Sequence, residues 1–120
     1  MFSCNEGDSS GNLPDPNGKW IINISNGHCT ISQRAHEFIV TGENFDFTMN
    51  YTEPLATPQW TSTTRFTGKI SKGNLNFVIS GNVFITGNCA NGNSGFEGNI
   101  DPTKGGSVSS NFGSIFWIKL

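Results

Sequence analysis

Few side chains in this sequence could carry acid–base chemistry. The two histidines are His28 and His36, and the second stands beside Glu37. A small hydrolase would need His36 and a carboxylate, or two carboxylates, to converge on one cleft. Adjacent residues of a strand point to opposite faces, so His36 and Glu37 do not share a site if this segment is a strand. The sequence predicts no catalytic residue and leaves a hydrolase based on His36 and a carboxylate as an alternative.

Short motifs of known chemistry are rare in the sequence. It contains no HExxH, Walker or Rossmann signature, and its one GxSxG match, residues 7–11, lies in the polar amino-terminal segment. The 7 basic residues are dispersed, and the net charge is -2. Such a weak field does not steer phosphate backbones, so we expect no nucleic-acid partner. The segment 88–95 lacks a carboxylate before Glu97, and calcium prefers charged oxygen ligands, so we predict no metal and no cofactor.

The aromatic residues favour binding. Two of the three tryptophans stand in apolar runs and are expected in the core. Trp60 differs, because it lies in an irregular stretch, residues 53–62, that contains two prolines. Together with Gln59 and Tyr51 it would contact a neutral ligand such as a glycan at the mouth of the fold. The alternative is a tryptophan that folds back over that mouth as a lid.

The cysteines indicate a disulfide rather than a metal site, because no CxxC pair or ligand-spaced histidine accompanies them. Cys29 and Cys89 both fall in strand-like sequence, and a bond between them would close a loop of about 60 residues, worth about 4 kcal/mol in the chain-entropy model. The alternative is two buried free thiols. A disulfide requires an oxidising compartment, so we expect an extracytoplasmic location: periplasmic, cell-surface or secreted.

The amino-terminal segment, residues 1–17, is rich in Gly, Ser, Asn, Asp and Pro. It runs from Cys4 into polar sequence that buries nothing, so we expect a flexible tether. This segment resembles the mature start of a bacterial lipoprotein, in which a lipidated cysteine precedes a flexible linker. The resemblance implies lipidation of Cys4 and membrane tethering through it. The alternative is an incidental cysteine in a disordered terminus.

The elements that must position these residues are β-strands. Ala and Leu together number 7, whereas Ile, Phe and Val number 25. This ratio excludes a helical bundle and disfavours an α/β fold. Residues 45–52 alternate strictly between apolar and polar types, which places Phe45, Phe47 and Met49 on one face of a strand.

Turn signals divide the remaining sequence into hairpins. Asn26-Gly27 is the dipeptide that best suits a two-residue hairpin turn, and Gly81-Asn82 is a second signal of this kind. A further hairpin is expected to have Leu75 at the start of its second strand. A weak internal repeat with a period of 30 residues is consistent with successive hairpins.

Hairpins joined by short turns form a meander, and a meander of about eight strands loses its exposed edges most simply by closing into a barrel. We therefore expect one all-β domain over residues 18–120, an antiparallel up-and-down barrel, with a β-sandwich as the alternative. Gly18 and Trp20 open the first strand in a pattern that resembles the Gly-x-Trp of lipocalins and avidins. In those families the tryptophan packs across the closed end of the barrel. The resemblance concerns architecture and carries no ligand with it.

The function that these observations favour is binding. We expect a non-enzymatic extracytoplasmic module for a neutral small molecule, a glycan or a protein partner. The alternative is a structural or interaction protein whose interior is filled by its 10 Phe and 3 Trp. Interior volume discriminates between them: a cavity on the order of several hundred Å³ favours an internal ligand, and a solid core moves recognition to loops and outer faces.

Overall fold

The protein is described by a computed structural model, which defines residues 13–25, 35–53, 57–88 and 91–120. Within these ranges the chain forms eight strands and no helix, which confirms the all-β expectation. The strands are β1 Gly18–Ser25, β2 Ala35–Val40, β3 Asn44–Glu53, β4 Trp60–Lys72, β5 Phe77–Gly87, β6 Gly92–Ile100, β7 Gly106–Ser110 and β8 Gly113–Lys119. The same ranges contain no helix long and apolar enough to cross a membrane.

The strands form two antiparallel sheets of four strands each. The first sheet has the order β2-β1-β8-β7, and the second sheet has the order β3-β4-β5-β6. The described residues join β2 to β3 only by the bridge between Thr41 and Asn44, and β6 to β7 only by the bridge between Asp101 and Gly105. The ladders of the described residues therefore do not close into a barrel, although the strand order around the two sheets is that of a meander.

The strongest alternation in the sequence forms β3. Phe45 and Met49 are buried there, whereas the intervening Asp46 and Thr48 are exposed. Because every second residue of a strand points to the same face, the polar residues lie on the outer face of the second sheet. The periodic prediction for this strand is confirmed.

Two predictions about the region of β5 are wrong. Gly81 and Asn82 lie in the middle of β5, because Gly81 pairs directly with Gly68 of β4 in a continuous ladder. Leu75 does not begin a strand. It lies in the turn before β5 with 63% of its surface exposed, and β5 starts two residues later.

The register of the first hairpin also differs from expectation. A two-residue turn at Asn26 and Gly27 would pair Asn23 with Thr30, whereas β1 and β2 pair Asn23 with Ala35. The connection is therefore longer than the dipeptide signal predicts. The turn residues themselves lie outside the described part of the chain.

An aromatic cluster fills the space between the sheets. Trp117 of β8 is fully buried, and its ring centroid lies 5.3 to 6.0 Å from four phenylalanine rings. These are Phe38 of β2, Phe45 of β3, Phe66 of β4 and Phe96 of β6. Trp20 is also fully buried and meets Phe77 edge to face at 5.3 Å. The core positions predicted for these two tryptophans are confirmed.

Two paired glycines bring β4 and β5 close together. Gly68 and Gly81 lie opposite each other in one cross-strand row, with Phe45 and Phe96 at its two ends. A Cβ atom at either glycine would clash with a backbone carbonyl oxygen of the neighbouring strand and with the tip of one of these phenylalanine rings. The two rings therefore cover the glycines on the core side, and only glycine permits this approach of the strands.

Residues 13–17 pack on the domain ahead of β1. Leu13 and Pro16 are buried, and the indole N–H of Trp20 donates a hydrogen bond of 2.7 Å to the carbonyl oxygen of Pro16. Within the predicted tether, Leu13, Pro16 and Asn17 therefore pack on the domain or bond to it. The rest of that segment, including Cys4, lies outside the described residues.

Candidate binding surfaces

An open groove of about 700 Å³ lies on the outer face of the second sheet. Its lining comes from four strands: Gly68 and Lys69 of β4, Ser80, Gly81 and Asn82 of β5, Gly95, Phe96 and Glu97 of β6, and Ser109 of β7. We call this surface the outer groove. Lys69, Ser80 and Glu97 form one cross-strand row, and the next row contains Asn82 and Gly95.

The polar groups of the outer groove are mostly neutral. Lys69 and Glu97 stand on either side of Ser80, two strands and about 10 Å apart, so their charges balance across the surface. Hydroxyl and amide groups such as those of Ser80 and Asn82 both donate and accept hydrogen bonds. The Lys69 ammonium lies 3.9 Å from a Glu43 carboxylate oxygen, and this exposed ion pair is weak. The arrangement suits a ligand with several uncharged hydroxyl groups.

The three ligand residues predicted from sequence lie at the far end of the β3–β4 hairpin. Trp60 is the first residue of β4 rather than part of a loop, and it pairs with Glu53, whereas Tyr51 lies opposite Ser62. Trp60 is half-buried and Gln59 is exposed. The side chain of Tyr51 lies outside what the structure describes. The backbone thus brings the three positions to one end of the fold.

This end of the hairpin is remote from the outer groove. Trp60 and Lys69 are separated by nine residues of β4, a distance of about 30 Å at the rise of an extended strand. Asn88 fastens the strand end, since its side-chain oxygen accepts the Thr61 N–H at 2.8 Å and its amide donates to the Gln59 carbonyl oxygen at 3.4 Å. The structure therefore presents two separate candidate surfaces.

Two buried hydroxyl groups lie on the same face of β4 as Trp60. Ser62 and Thr64 are 3% and 1% exposed, and their side chains point into the core. Within the described part of the chain, neither hydroxyl has a hydrogen-bond partner, and the same holds for the indole nitrogen of Trp117. The sequence patterns considered above did not single out either residue. Their alternation in phase with the buried Phe66 was the signal that could have identified them.

His36 and its neighbour face opposite sides of β2, as the strand geometry predicts. The half-buried imidazole of His36 stacks on Phe47 with ring centroids 5.5 Å apart. The exposed Glu37 lies 3.5 Å from the Lys19 ammonium instead. Within the described ranges, no group of three or more His, Cys, Asp or Glu side chains is placed to hold a metal ion.

Two other carboxylates have structural partners on the surface. Asp46 accepts hydrogen bonds of 2.7 and 3.0 Å from the guanidinium of Arg65, and these bonds lower the pKa of its carboxyl. Asp101 accepts the backbone N–H groups of Lys104 and Thr103 at 2.8 Å each, which lowers its pKa as well. Asp101 therefore has a structural role in the turn that follows β6.

The predicted cysteine chemistry falls outside the described residues. Cys4, Cys29 and Cys89 all lie in segments that the structure does not describe. The Cys29–Cys89 disulfide and the lipidation of Cys4 therefore stay predictions.

Comparison of the chain with models of known protein families gives no match, and comparisons with curated proteins and with solved structures give none either.

Proposed function

We propose that this protein is a non-enzymatic binding module that holds a neutral, hydroxyl-rich ligand, such as an oligosaccharide, in the outer groove. The observation that carries the proposal is the 700 Å³ groove itself, open to solvent and lined by neutral hydroxyl and amide groups between one cation and one anion. An internal site finds no support, because the aromatic rings around Trp117 occupy the space between the sheets.

The chemistry of the groove supports an uncharged ligand. A sugar hydroxyl both donates and accepts hydrogen bonds, as do Asn82 and Ser80, so each contact can be satisfied in either direction. Lys69 and Glu97 can each bind a hydroxyl group, while their opposite charges give no preference to an ionic ligand. Salt should therefore affect binding only slightly.

The proposal includes an architecture and a location. We take the two sheets as a flattened up-and-down barrel opened at two seams, because β1 pairs with β8 and the chain order runs around both sheets. We place the protein outside the cytoplasm, on the expectation of a Cys29–Cys89 bond. Mass spectrometry of non-reduced peptides tests this expectation, and free thiols at both positions in an oxidised preparation would remove its basis.

Isothermal titration calorimetry with cellohexaose, chitohexaose and maltohexaose tests the site. For whichever hexasaccharide binds, Asn82→Ala should weaken the affinity by about 1 to 3 kcal/mol through loss of paired hydrogen bonds. Asn50→Ala is the matched control, since Asn50 is an exposed residue on the same outer face about 16 Å away. Equal losses in the two variants would contradict the proposal.

Trp60 is the other candidate surface, and the same titration separates the two. If the ligand binds at the hairpin end with Gln59 and Tyr51, Trp60→Ala weakens binding by about 1 to 3 kcal/mol while Asn82→Ala does not. The proposal predicts the reverse. A circular-dichroism melt of Trp60→Ala shows whether its half-buried ring also supports the fold.

A structural or interaction protein is the second candidate function. The filled aromatic core favours it, because a solid interior removes the internal cavity of a ligand carrier. This candidate predicts that none of the three hexasaccharides binds.

A further inference from the structure

The outer face of the first sheet is apolar, unlike that of the second sheet. It presents five large hydrophobic residues, which we call the apolar face: Ile21 of β1, Ile39 of β2, Phe116 and Ile118 of β8, and Leu120 at the end of β8. Ile39 and Leu120 are each 58% exposed. An antiparallel sheet with one solvated face normally alternates apolar and polar residues, so an apolar outer face indicates that something covers it.

The members of the apolar face are neighbours. Ile21 lies directly opposite Ile118 in the register of β1 and β8. Phe116 and Leu120 stand two residues to either side of Ile118 on the same face of the chain. Ile39 lies on β2, two residues beyond the partner of Ile21. It is therefore diagonal to Ile21 and within reach of its side chain.

The second sheet provides an internal comparison. Its outer face exposes Val78 and Phe84, but the two are six residues apart on β5, about 20 Å, with Ser80 and Asn82 between them. Scattered apolar residues of this kind are ordinary on a protein surface. Among the residues that the structure describes, the contiguous apolar surface is confined to the first sheet.

Two residues of opposite charge lie within the apolar face. In the register of β1 and β2, Lys19 lies opposite Ile39, and Ile21 lies opposite Glu37. Each charged side chain therefore has an isoleucine across from it and another isoleucine two residues along its own strand. The two charged groups lie 3.5 Å apart, and each side chain is more than half exposed. A surface with one charge of each sign is complementary to a copy of itself, and it favours neither a cationic nor an anionic partner.

From this arrangement we infer that the protein forms a symmetric dimer through the apolar face, with the first sheets of two copies packed against each other. A two-fold axis that exchanges the positions of Lys19 and Glu37 places the cation of each copy near the anion of the other. Face-to-face packing of sheets is a standard way to bury apolar outer surfaces. The inference is independent of the proposed function.

Sedimentation equilibrium over a range of protein concentrations tests the dimer. Ile39→Glu should raise the dissociation constant at least about tenfold, since it buries a charge in the contact. Val78→Glu is the matched control, because Val78 is also an exposed apolar strand residue, 41% accessible, on the opposite side of the molecule. Its dissociation constant should match that of the unmodified protein.

A charge-exchange experiment separates a second copy from every other occupant. Lys19→Glu gives the apolar face two anions and Glu37→Lys gives it two cations, so each variant should dimerise more weakly with itself. Mixed together, the two variants should form a heterodimer at least about tenfold tighter than either homodimer. A protein that stays monomeric at every concentration, or a mixture that associates no better than its parts, would overturn the inference.

Discussion

Thr64 carries a hydroxyl group into the core of the second sheet, where its effect on stability can be measured. It is 1% exposed, and within the described residues its hydroxyl makes no hydrogen bond. A buried unpaired hydroxyl costs about 1 to 3 kcal/mol relative to its hydrated state. Valine has nearly the same shape and a higher strand preference.

We therefore expect Thr64→Val to raise the free energy of unfolding by about 1 kcal/mol, measured by urea denaturation. Thr63→Val is the control, because the Thr63 hydroxyl is exposed and donates a hydrogen bond of 2.8 Å to Asn50. That variant should be unchanged or slightly less stable. A clear loss of stability in Thr64→Val would mean that its hydroxyl binds a partner in solution.

The ion pair of Asp46 and Arg65 predicts a dependence of stability on pH. Hydrogen bonds from Arg65 lower the pKa of Asp46 in the folded state below its ordinary value of 3.8. The carboxylate therefore stabilises the fold above that ordinary value, and the contribution disappears as the pH falls through the lower folded pKa. Because the pair is exposed, the effect is small and is screened by salt.

Urea denaturation of the protein and of Asp46→Asn from pH 7 to pH 2 measures this contribution. The difference in unfolding free energy between them should be constant near neutral pH and should shrink once the pH falls below about 3.8. Taking the difference cancels the similar contribution of Asp101. A difference that does not change with pH would show that the pair leaves the pKa of Asp46 unaltered.

The glycines Gly68 and Gly81 let the backbones of β4 and β5 lie close together in the second sheet. Gly81→Ala would place a Cβ atom against a backbone oxygen of β4 and against the Phe96 ring. We expect this variant to lose about 3 kcal/mol of unfolding free energy or more, because the backbone cannot yield without breaking the ladder. The Gly68→Ala variant should behave in the same way.

Gly95→Ala is the control for this pair, since it lies in the adjoining strand and lines the same groove. A Cβ atom there would find nothing closer than the Asn82 side-chain oxygen at 3.6 Å. We expect its unfolding free energy to change by no more than about 0.5 kcal/mol. Similar thermal shifts in Gly81→Ala and Gly95→Ala would contradict the close approach of β4 and β5.

Sequence periodicity predicted a strand correctly where its structure depends only on neighbouring residues, and it failed where the structure depends on a partner strand. The alternation in β3 indicated its buried face, because side-chain direction in a strand depends only on position. The dipeptide Gly81-Asn82 has the composition of a turn, and its place in β5 depends on Gly68, 13 residues away in the chain. Trp60 was assigned to a loop because of the prolines before it, although its cross-strand partner makes it the start of β4.

The candidate site could not be predicted from sequence for a related reason. The residues of the outer groove come from four strands, and only the register brings Lys69, Ser80 and Glu97 into one row. In the sequence alone, each of these three residues has the pattern of an ordinary exposed residue of a strand. The apolar runs of β1 and β8 were visible in the sequence, but their outward residues become a shared surface only once the two strands pair.

At the scale of the whole molecule, the two proposals fit together. A dimer through the outer face of the first sheet leaves the outer face of each second sheet exposed, so both outer grooves stay accessible. Two grooves in one assembly would raise the apparent affinity for a polymeric ligand without any new contact. The filled aromatic core separates these two faces and holds both sheets in place.

The ligand proposed for the outer groove is neutral and rich in hydroxyl groups. The most direct test of this proposal is a titration of the ¹⁵N-labelled protein with cellohexaose, chitohexaose and maltohexaose, followed through the backbone amide resonances. We expect saturable shifts that are concentrated in residues 80–82 and 95–97 for at least one of the three hexasaccharides. Shifts confined to residues 59–62, or no shifts with any of the three, would contradict it.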